Sequence, residues 1–420
     1  MSRSHRLFML MMLLALVTPT VAPAQGGSPD ERARATEARM TDDERFSLII
    51  SILGNVQGGA MAPDPRVKDV KNQSAGYTPG IPRLGIPALQ SSDASMGITN
   101  PGYRADDKGA TAFPASILVG SSFNPQLARE GGVAIAREAR SRGFNIQLAG
   151  GMNLTRELRN GRNFEYYGED PWHSAVMAAE QVNGIQSQQV ISTLKHYTLN
   201  ANETNRHWLD AIIDPAAHRE SDLLAFQIAI ERSQPGAIMS GYNKVNGIYV
   251  GGNHHLLNEV LKGAWGYKGY VMSDWGATPE WQYALHGLDQ ESGAQGDKMM
   301  WKLDVEPFVG PLRKAYADGK FQFDPPAERL ALKGNLTSDG AGNVTSTLVE
   351  KEAGAEGFVD YADISGVNGL IVIYGRDETV QRIPGTRVDQ NKFPFAAVLE
   401  TGAGVDYVSP ANNDGCELCH

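Results

Sequence analysis

One carboxylate of this chain stands where a catalytic nucleophile would be placed. Asp274 follows the hydrophobic segment Tyr270–Ser273 and precedes a glycine, Gly276, in a polar loop. A second polar run, Lys195–Arg206, follows another hydrophobic segment and supplies a lysine, a histidine and several amides. A carboxylate held near such groups can attack an electrophilic carbon and form a covalent intermediate. The two runs together predict one site for nucleophilic catalysis.

The elements that must position these residues alternate along the chain. Short hydrophobic segments separated by amphipathic stretches predict parallel strands joined by helices. Because the pattern extends over about 300 residues, it favours an α/β fold of the (β/α)8 TIM-like barrel type over an open doubly wound sheet. The expected strands are Ala115–Val119, Phe144–Leu148, Val190–Leu194, Ala237–Ser240 and Tyr270–Ser273. The expected helices are Pro125–Arg142, Pro171–Ser187 and Pro215–Ser233.

The first 24 residues have the pattern of a secretory signal peptide. Arg3 and Arg6 form a basic region, Leu7–Val17 an apolar one, and Ala22-Pro-Ala24 a cleavage site. An uncleaved membrane anchor is the alternative. The apolar run falls short of the roughly 18 residues that a membrane span needs. We therefore expect a periplasmic or secreted protein without a membrane span after signal removal.

The remaining chain is expected to form a barrel domain over residues 25–325 and an atypical β-rich tail over residues 326–420. Thr41 and Glu44 form a capping box for a helix whose apolar face comes from Phe46–Leu53. In the tail, the turn-rich segment Gly334–Val344 and the runs Leu370–Tyr374 and Phe395–Leu399 predict strands.

Charge and loop composition indicate the class of ligand. The chain has 48 acidic and 38 basic residues and a net charge of −10, which argues against a general nucleic-acid binder. A neutral or small polar substrate is easier to accommodate. The loops after the predicted strands combine Arg, Lys, His, Asn and Asp with aromatic rings, and a hydroxyl-rich ligand needs many such donors and acceptors. A sugar is the expected ligand.

Six motifs follow one another along the chain: Ile81–Gln90 with Asp93, Ala112-Phe113-Pro114, Gly161–Glu165, Lys195-His196, Met239–Tyr242 and Ser273–Trp275. In kind and order they resemble the motifs of glycoside hydrolase family 3, the β-glucosidase and β-xylosidase group, and the resemblance extends over about residues 40–319. Asp93 is followed by Ala94-Ser95, where the family usually has Gly-Pro.

That resemblance implies a retaining glycosidase acting on β-linked glucosyl or xylosyl units, such as a β-linked oligosaccharide or an aryl glucoside, without a cofactor. It implies Asp274 as the nucleophile that forms a glycosyl-enzyme ester. The residues implied to hold the sugar are Asp93, Arg162, Lys195, His196 and Tyr242. Trp275 would offer an apolar face to a sugar ring or aglycone, and His196 would donate to a hydroxyl.

Each of these residues also has a structural alternative. Asp274 could cap a helix, and Arg162 with Glu165 could form a surface salt bridge. Lys195 and His196 could be ordinary strand-end residues. Tyr242 and Trp275 could be packing aromatics, and Asp93 need not belong to the site.

The second carboxyl group of a retaining pair is not assigned. Retaining enzymes place a general acid about 5 to 5.5 Å from the nucleophile. Most of the family supplies this acid from a second domain, and no sequence resembling that domain follows Gly319. Glu203 and Glu291 lie near the motifs and are the candidates, but the resemblance gives neither of them that role.

The C-terminal residues carry a different motif. Cys416, Cys419 and His420 form CxxCH, which is typical of covalent haem c attachment, with a disulfide or a redox CxxC as alternatives. The tail is similar to the β domain that precedes the first haem site in multihaem c-type cytochromes. The alternative function is thus a catalytically dead sugar-binding barrel fused to a truncated electron-transfer segment. Oligomeric state is not predicted, and no metal is expected in the barrel.

Overall fold

A computed structural model describes residues 28–54, 64–67, 74–98, 109–321 and 323, together with the backbone of five strands between 331 and 406. The chain divides into two units, Met1–Arg39 and Met40–His420. The first unit contains the helix α1, Pro29–Glu37, which Ser28 caps in a capping box with Glu31. The predicted signal peptide lies outside the described residues.

The second unit contains sixteen described strands and eight described α-helices. The strands are β1 Ile50–Gly54, β2 Ser74–Thr78, β3 Leu89–Asp93, β4 Ile146–Leu148, β5 Ile191–Tyr197, β6 Asp210–Ala211, β7 Ala237–Ser240, β8 Lys244–Val245, β9 Ile248–Tyr249, β10 Tyr270–Met272, β11 Glu291–Ser292, β12 Ala331–Ser338, β13 Val344–Glu352, β14 Gly369–Tyr374, β15 Ala396–Thr401 and β16 Gly404–Asp406. The helices are α2 Asp42–Leu48, α3 Ser116–Gly120, α4 Pro125–Ser141, α5 Pro171–Gln186, α6 Pro215–His218, α7 Leu224–Ser233, α8 Ala294–Met300 and α9 Pro311–Ala317.

Eight of these strands form a nearly closed ring. Their order is β10-β7-β5-β4-β3-β2-β1-β11. Met272 at the end of β10 also pairs in parallel with Gln290, the residue before β11, so the two ends of the sheet meet. Strands β4 and β7 are buried at every position, as expected of parallel strands that are covered on both faces. The architecture is α/β with a mixed sheet, consistent with a TIM-like barrel.

The sheet is mixed rather than wholly parallel, because β2 runs antiparallel to both β1 and β3. Only ten residues, 79–88, connect β2 to β3, and three of them are prolines. A parallel crossover needs a dozen or more residues and usually a helix. The short connection therefore allows only an antiparallel pairing, and the expectation of a parallel sheet was wrong at this strand.

Two predicted elements differ in type from the observed ones. The expected strand Ala115–Val119 forms the helix α3, because a five-residue apolar run without alternation fits either conformation. The helix whose apolar face was expected over Phe46–Leu53 ends at Leu48, and the chain continues as the strand β1. Ile49, Ile50 and Ile52 are β-branched, and such residues favour strands. The capping box of Thr41 and Glu44 at the start of α2 is confirmed.

The other predicted elements occur within a few residues of their expected bounds. β7 matches its prediction, and α4 and α5 each end one residue early. The third predicted helix is continuous but contains a π-helical segment, Arg219–Leu223, between α6 and α7. Among the described residues, no helix is both long enough and apolar enough to cross a membrane.

Helices α4 and α5 approach each other closely through two glycines. A Cβ atom on Gly132 would lie 2.3 Å from the carbonyl oxygen of Gln181, and one on Gly184 would lie 2.2 Å from that of Arg129. Backbone carbonyls of packed helices cannot move aside for a methyl group without shifting the whole element. The contact therefore requires glycine at both positions.

We expect Gly132→Ala to lower the free energy of unfolding by about 1 to 3 kcal/mol, the usual cost of overpacking. The neighbouring Gly131 is the matched control, because its Cβ would have no atom within 4 Å. Gly131→Ala should raise the free energy of unfolding by up to about 1 kcal/mol, since alanine favours helix. Urea unfolding of both variants measures the difference, and equal effects would contradict the close packing.

The strands after residue 330 are described by their backbone alone. They form a five-stranded antiparallel sheet of order β13-β12-β14-β15-β16. The predicted domain boundaries and the mostly β character of the tail stay predictions. Cys416, Cys419 and His420 lie outside the described residues, so haem attachment also stays a prediction.

Candidate active site

A cavity of about 500 Å³ opens at the edge of the ring where the parallel strands end. Sites of TIM-like barrels lie at this carboxyl edge. All seven barrel residues expected to form the site line the cavity: Asp93, Arg162, Lys195, His196, Tyr242, Asp274 and Trp275. The other lining residues are Leu53, Ser74, Ala75, Ala94, Leu148, Glu165, Arg206 and Met239. The structure thus brings the predicted residues together, while their individual roles stay predictions.

Asp274 is a buried carboxylate of the cavity, and one of its two oxygens accepts no hydrogen bond from the described residues. It lies two residues after β10 and is only 7% exposed. Its Oδ1 accepts a hydrogen bond from the Trp275 backbone N–H at 2.8 Å. Its Oδ2 is buried and accepts no hydrogen bond from the described residues. Oδ2 is therefore the oxygen available to a bound substrate.

Opposing effects set the pKa of Asp274. Burial raises it above the ordinary value, while the charge of Arg162, the nearby Tyr242 hydroxyl and the charges of Arg206 and Lys195 lower it. Burial is the larger effect. The pKa of this carboxyl group is thus raised overall, and the cations of the cavity limit how far it rises.

His196 lies beside Asp274, with Nε2 at 3.5 Å from Oδ2. The Asn153 side-chain oxygen accepts from the His196 backbone N–H at 3.0 Å and lies 3.0 Å from Nδ1. Because that oxygen is an acceptor, Nδ1 carries the imidazole hydrogen. Burial, followed by the charges of Arg162 and Lys195, holds the pKa of His196 well below its usual value. In this tautomer Nε2 carries the lone pair and is an acceptor, and the donor role expected from the sequence stays a prediction.

Lys195 and His196 are consecutive residues of β5 that line the same cavity. Side chains in a regular strand alternate between its two faces. Here the pairing register with β7 shifts between Lys195 and Tyr197, and such irregularities re-aim side chains near functional sites. Lys195 Nζ, which is almost fully buried, lies 3.3 Å from Asp93 Oδ1 at the end of β3. Asp93 and Lys195 together form one polar wall.

Arg162 lies on the loop after β4 and is held by carboxylates. It forms an ion pair with Glu165, whose side chain is 5% exposed, and a longer one to Glu203 at 3.7 Å. The Arg162 side chain is 20% exposed and lines the cavity. The ion pair with Glu165 predicted from the sequence is present, but it belongs to the cavity wall rather than to the surface.

Tyr242, Trp275 and Arg206 form another part of the cavity wall. The Tyr242 hydroxyl donates to the backbone carbonyl of Trp275 at 2.9 Å. The Trp275 indole N–H donates to the carbonyl of Ala75 in β2 at 2.8 Å. The Arg206 guanidinium lies 4.0 Å from the centre of the Tyr242 ring, a cation–π distance. Arg206 had no role assigned from the sequence, although it belongs to the polar run after β5.

The two candidates for the general acid lie elsewhere. Neither Glu203 nor Glu291 lines the cavity. Glu203 pairs with Arg206 at 2.5 Å and accepts from Asn200 at 2.9 Å. Glu291 in β11 is fully buried and accepts from the Phe308 backbone N–H at 2.7 Å. Burial raises the pKa of Glu291 to about 8.

The carboxylates that do line the cavity beside Asp274 are already paired. Among the described lining residues these are Asp93, with Lys195, and Glu165, with Arg162. The described lining residues therefore include no unpaired carboxyl group besides Asp274. Nor do the described residues gather three metal-ligating side chains at one place.

The nearly closed α/β ring has a polar cavity at the carboxyl ends of its strands, which is where TIM-like barrels place their active sites. Residues 25–291 match the glycosyl hydrolase family 3 N-terminal domain, and the chain belongs to this family. The match includes Asp93, Arg162, Lys195, His196, Tyr242 and Asp274.

Similar proteins carry the name β-glucosidase. The chain is 40% identical to a β-glucosidase of Bacteroides ovatus over 227 residues, which are 52% of this chain and 30% of that protein. It is 38% identical to a β-glucosidase of Rhizobium radiobacter over 238 residues, 56% of this chain and 28% of that protein. The solved structure of β-glucosidase 3B from Thermotoga neapolitana in complex with glucose is similar at a TM-score of 0.64 and 34% identity, covering 70% of this chain and 41% of that one. The chain thus spans less than half the length of each of these proteins.

Proposed function

We propose that the protein is a glycoside hydrolase that cleaves β-linked glucosyl or xylosyl units by a retaining double displacement. The observation that carries this proposal is the buried Asp274 Oδ2, which accepts no hydrogen bond from the described residues and faces a cavity lined by polar side chains. The names of the similar proteins support a β-glucoside as substrate. The polar walls formed by Arg162, Lys195 and Asp93 suit a ligand rich in hydroxyl groups.

The reaction proceeds in two displacements. In the first, Asp274 Oδ2 forms a bond to the anomeric carbon while the bond to the leaving oxygen breaks, and that oxygen takes up a proton. In the second, water attacks the anomeric carbon and gives a proton to the group that supplied one in the first step, while the ester bond to Oδ2 breaks and the carboxylate is restored. Two inversions retain the β configuration.

The surrounding residues bind the sugar and tune the carboxylate. Arg162, Arg206 and Lys195 lower the pKa of Asp274 against the effect of burial, so they increase the fraction that is ionised and nucleophilic. Lys195 donates to sugar hydroxyls, Asp93 accepts from them, and the neutral His196 accepts at Nε2. The leaving oxygen takes its proton from a group outside the described cavity residues.

A substrate whose leaving group needs no protonation isolates the role of Asp274. With 2,4-dinitrophenyl β-D-glucoside we expect one equivalent of dinitrophenolate in a rapid burst, because the first displacement then needs no acid. Azide should accelerate turnover and yield a β-glucosyl azide, since a small anion attacks the ester without base assistance. The α anomer of the substrate is the control. Sugar binding without a burst would instead favour the catalytically dead alternative, and an α-configured azide would exclude retention.

A further inference from the structure

Two carboxyl groups are buried together beside the loop that carries Asp274. Glu291 in β11 and Asp297 in α8 are both inaccessible to solvent, and neither lines the cavity. Their side chains are hydrogen-bonded to each other. We call Glu291 and Asp297 the carboxyl pair. Because a buried charge is costly, the protonation of this pair bears directly on the stability of the fold around it.

The hydrogen bonds of the pair leave one oxygen of each carboxyl group for the other. Glu291 Oε2 accepts from the Phe308 backbone N–H at 2.7 Å, and Asp297 Oδ1 accepts from the Thr278 backbone N–H at 2.5 Å. The remaining oxygens, Glu291 Oε1 and Asp297 Oδ2, are buried and accept no hydrogen bond from the other described residues. An ionised carboxylate is an acceptor only. A hydrogen bond between the two groups therefore requires a proton on one of them.

The pair connects the ring of strands to the loop of Asp274. Glu291 lies in β11, which pairs with β1. The Thr278 N–H that donates to the other member lies four residues after Asp274. The same loop packs closely on the start of α8, since a Cβ atom on Gly293 would lie 2.2 Å from the Trp275 ring. The hydrogen bonds of the pair therefore restrain the segment that presents Asp274 to the cavity.

Burial and the surrounding charges favour the protonated form of the pair. Burial raises the pKa of Glu291 to about 8; the charge of Glu306 acts in the same direction, and the Arg66 guanidinium acts against it. Burial, followed by the charge of Glu291, raises the pKa of Asp297 well above its ordinary value, and the charge of Asp274 adds to this. The one cation among these groups, Arg66, already forms an ion pair with Glu306 at 3.1 Å.

We propose that Glu291 and Asp297 hold a proton between them at neutral pH and that this hydrogen bond keeps the loop of Asp274 in position. Loss of the proton to solvent leaves two adjacent carboxylates that repel each other. Asp297 then moves away from Glu291, and the Thr278 N–H loses the acceptor that fixes the loop. The pair acts through Asp274, because it does not line the cavity itself. This positioning role rests on the proposed function, whereas the held proton does not.

The held proton makes stability depend on pH in a definite direction. In the unfolded chain, carboxyl groups lose their protons at an ordinary pKa of about 4. The folded pair keeps a proton until about pH 8. Between these values the folded state binds more protons than the unfolded state, so the stabilisation decreases as the pH rises and is lost once the pH passes the folded pKa. For each proton held, the unfolding equilibrium constant should rise by about tenfold per pH unit in this window.

Single amide substitutions test the held proton, because an amide supplies an N–H in its place. Glu291→Gln keeps an acceptor for the Phe308 N–H and donates to Asp297, and Asp297→Asn keeps an acceptor for the Thr278 N–H and donates to Glu291. The unfolding constant is measured in urea between about pH 5 and 8. In either variant we expect its rise with pH to be smaller than in the parent chain, by about tenfold per pH unit.

Glu231→Gln is the control for the change from carboxyl to amide. Glu231 is exposed on α7, so this variant should keep the pH dependence of the parent chain. In the double variant Glu291→Gln with Asp297→Asn, backbone N–H groups occupy both amide oxygens, and no acceptor is left between the two side chains. Its loss of stability should exceed the sum of the two single losses. Additive losses, or single variants with the pH dependence of the parent, would overturn the held proton.

The burst with 2,4-dinitrophenyl β-D-glucoside tests the positioning role. Its leaving group needs no acid, so a decline of the burst rate constant above about pH 8 reports the loop rather than a proton donor. We expect this decline in the parent chain and not in the two single variants. If the decline persists in both, only the positioning role fails. If the parent chain gives no burst at any pH, the proposed function and the positioning role fail together, and urea unfolding still decides whether the pair holds a proton.

Discussion

Asp274→Asn is expected to abolish the burst with 2,4-dinitrophenyl β-D-glucoside, lowering its rate constant by roughly 10⁴- to 10⁶-fold, as removal of a catalytic nucleophile does elsewhere. Asparagine has nearly the same shape and can keep the acceptor for the Trp275 N–H at the Oδ1 position. It lacks the negative charge that attacks the anomeric carbon. Stopped-flow absorbance of dinitrophenolate measures the effect.

The variant should retain its fold and its affinity for glucose. The carboxylate at Asp274 is buried, and a buried charge is costly, so a neutral amide is tolerated there. Asp222 provides the control, because it is also buried with a raised pKa but does not line the cavity. Asp222→Asn should leave the burst unchanged within a few-fold. A full burst in Asp274→Asn would remove Asp274 from the role of nucleophile.

Arg162→Gln is expected to lower the burst rate constant and to move its acid limb to higher pH. Arg162 lowers the pKa of Asp274, so its loss lets burial raise that pKa further. Less of the carboxylate is then ionised at any pH near the limb. Loss of charged hydrogen bonds to the sugar should weaken binding by about 10- to 100-fold as well. The pH dependence of the burst measures the first effect, and glucose calorimetry measures the second.

Arg159→Gln is the matched control for this variant. Arg159 lies three residues earlier on the same loop, its side chain is 89% exposed, and its partner is the surface residue Glu157. We expect no change in the acid limb. Arg162→Gln also leaves the buried Glu165 without its ion pair, which should cost about 3 to 5 kcal/mol of stability. Urea unfolding of both variants separates this loss from the shift in pH, and an acid limb that stays in place would contradict the role of Arg162.

The sequence was most informative where polar residues follow buried strands. Asp93, Lys195, His196, Tyr242, Asp274 and Trp275 each stand at or just after a strand, and the edge of a parallel sheet brings such positions together. Arg162 lies further along the loop after β4 and was expected in the site from the family resemblance. Arg206 lies further along the run after β5. Its place in the cavity depends on the path of that loop and on its contact with Tyr242, and neither follows from residue types.

Other features depend on tertiary structure that local patterns do not encode. The reversed direction of β2 follows from its short connection to β3, which contains three prolines. In the sequence, this segment was interpreted only as part of a family motif, so the direction of the strand was not predicted. The hydrogen on His196 is fixed by Asn153, a residue of another segment. Glu203 and Glu291 were plausible acids by position alone, but neither lines the cavity: Glu203 pairs with Arg206, and Glu291 is buried in β11.

The reversed direction of β2 also affects how the mouth of the cavity can change. Because β2 runs against its neighbours, its first residues, Ser74 and Ala75, lie at the same edge as the carboxyl end of β1, and Gly54 pairs with Ser74. The connection between β1 and β2 therefore leaves and rejoins the ring at the rim of the cavity. Substitutions at Ser74 and Ala75 can therefore alter the entrance of the cavity, while the pairing of β2 with β1 and β3 stays in place.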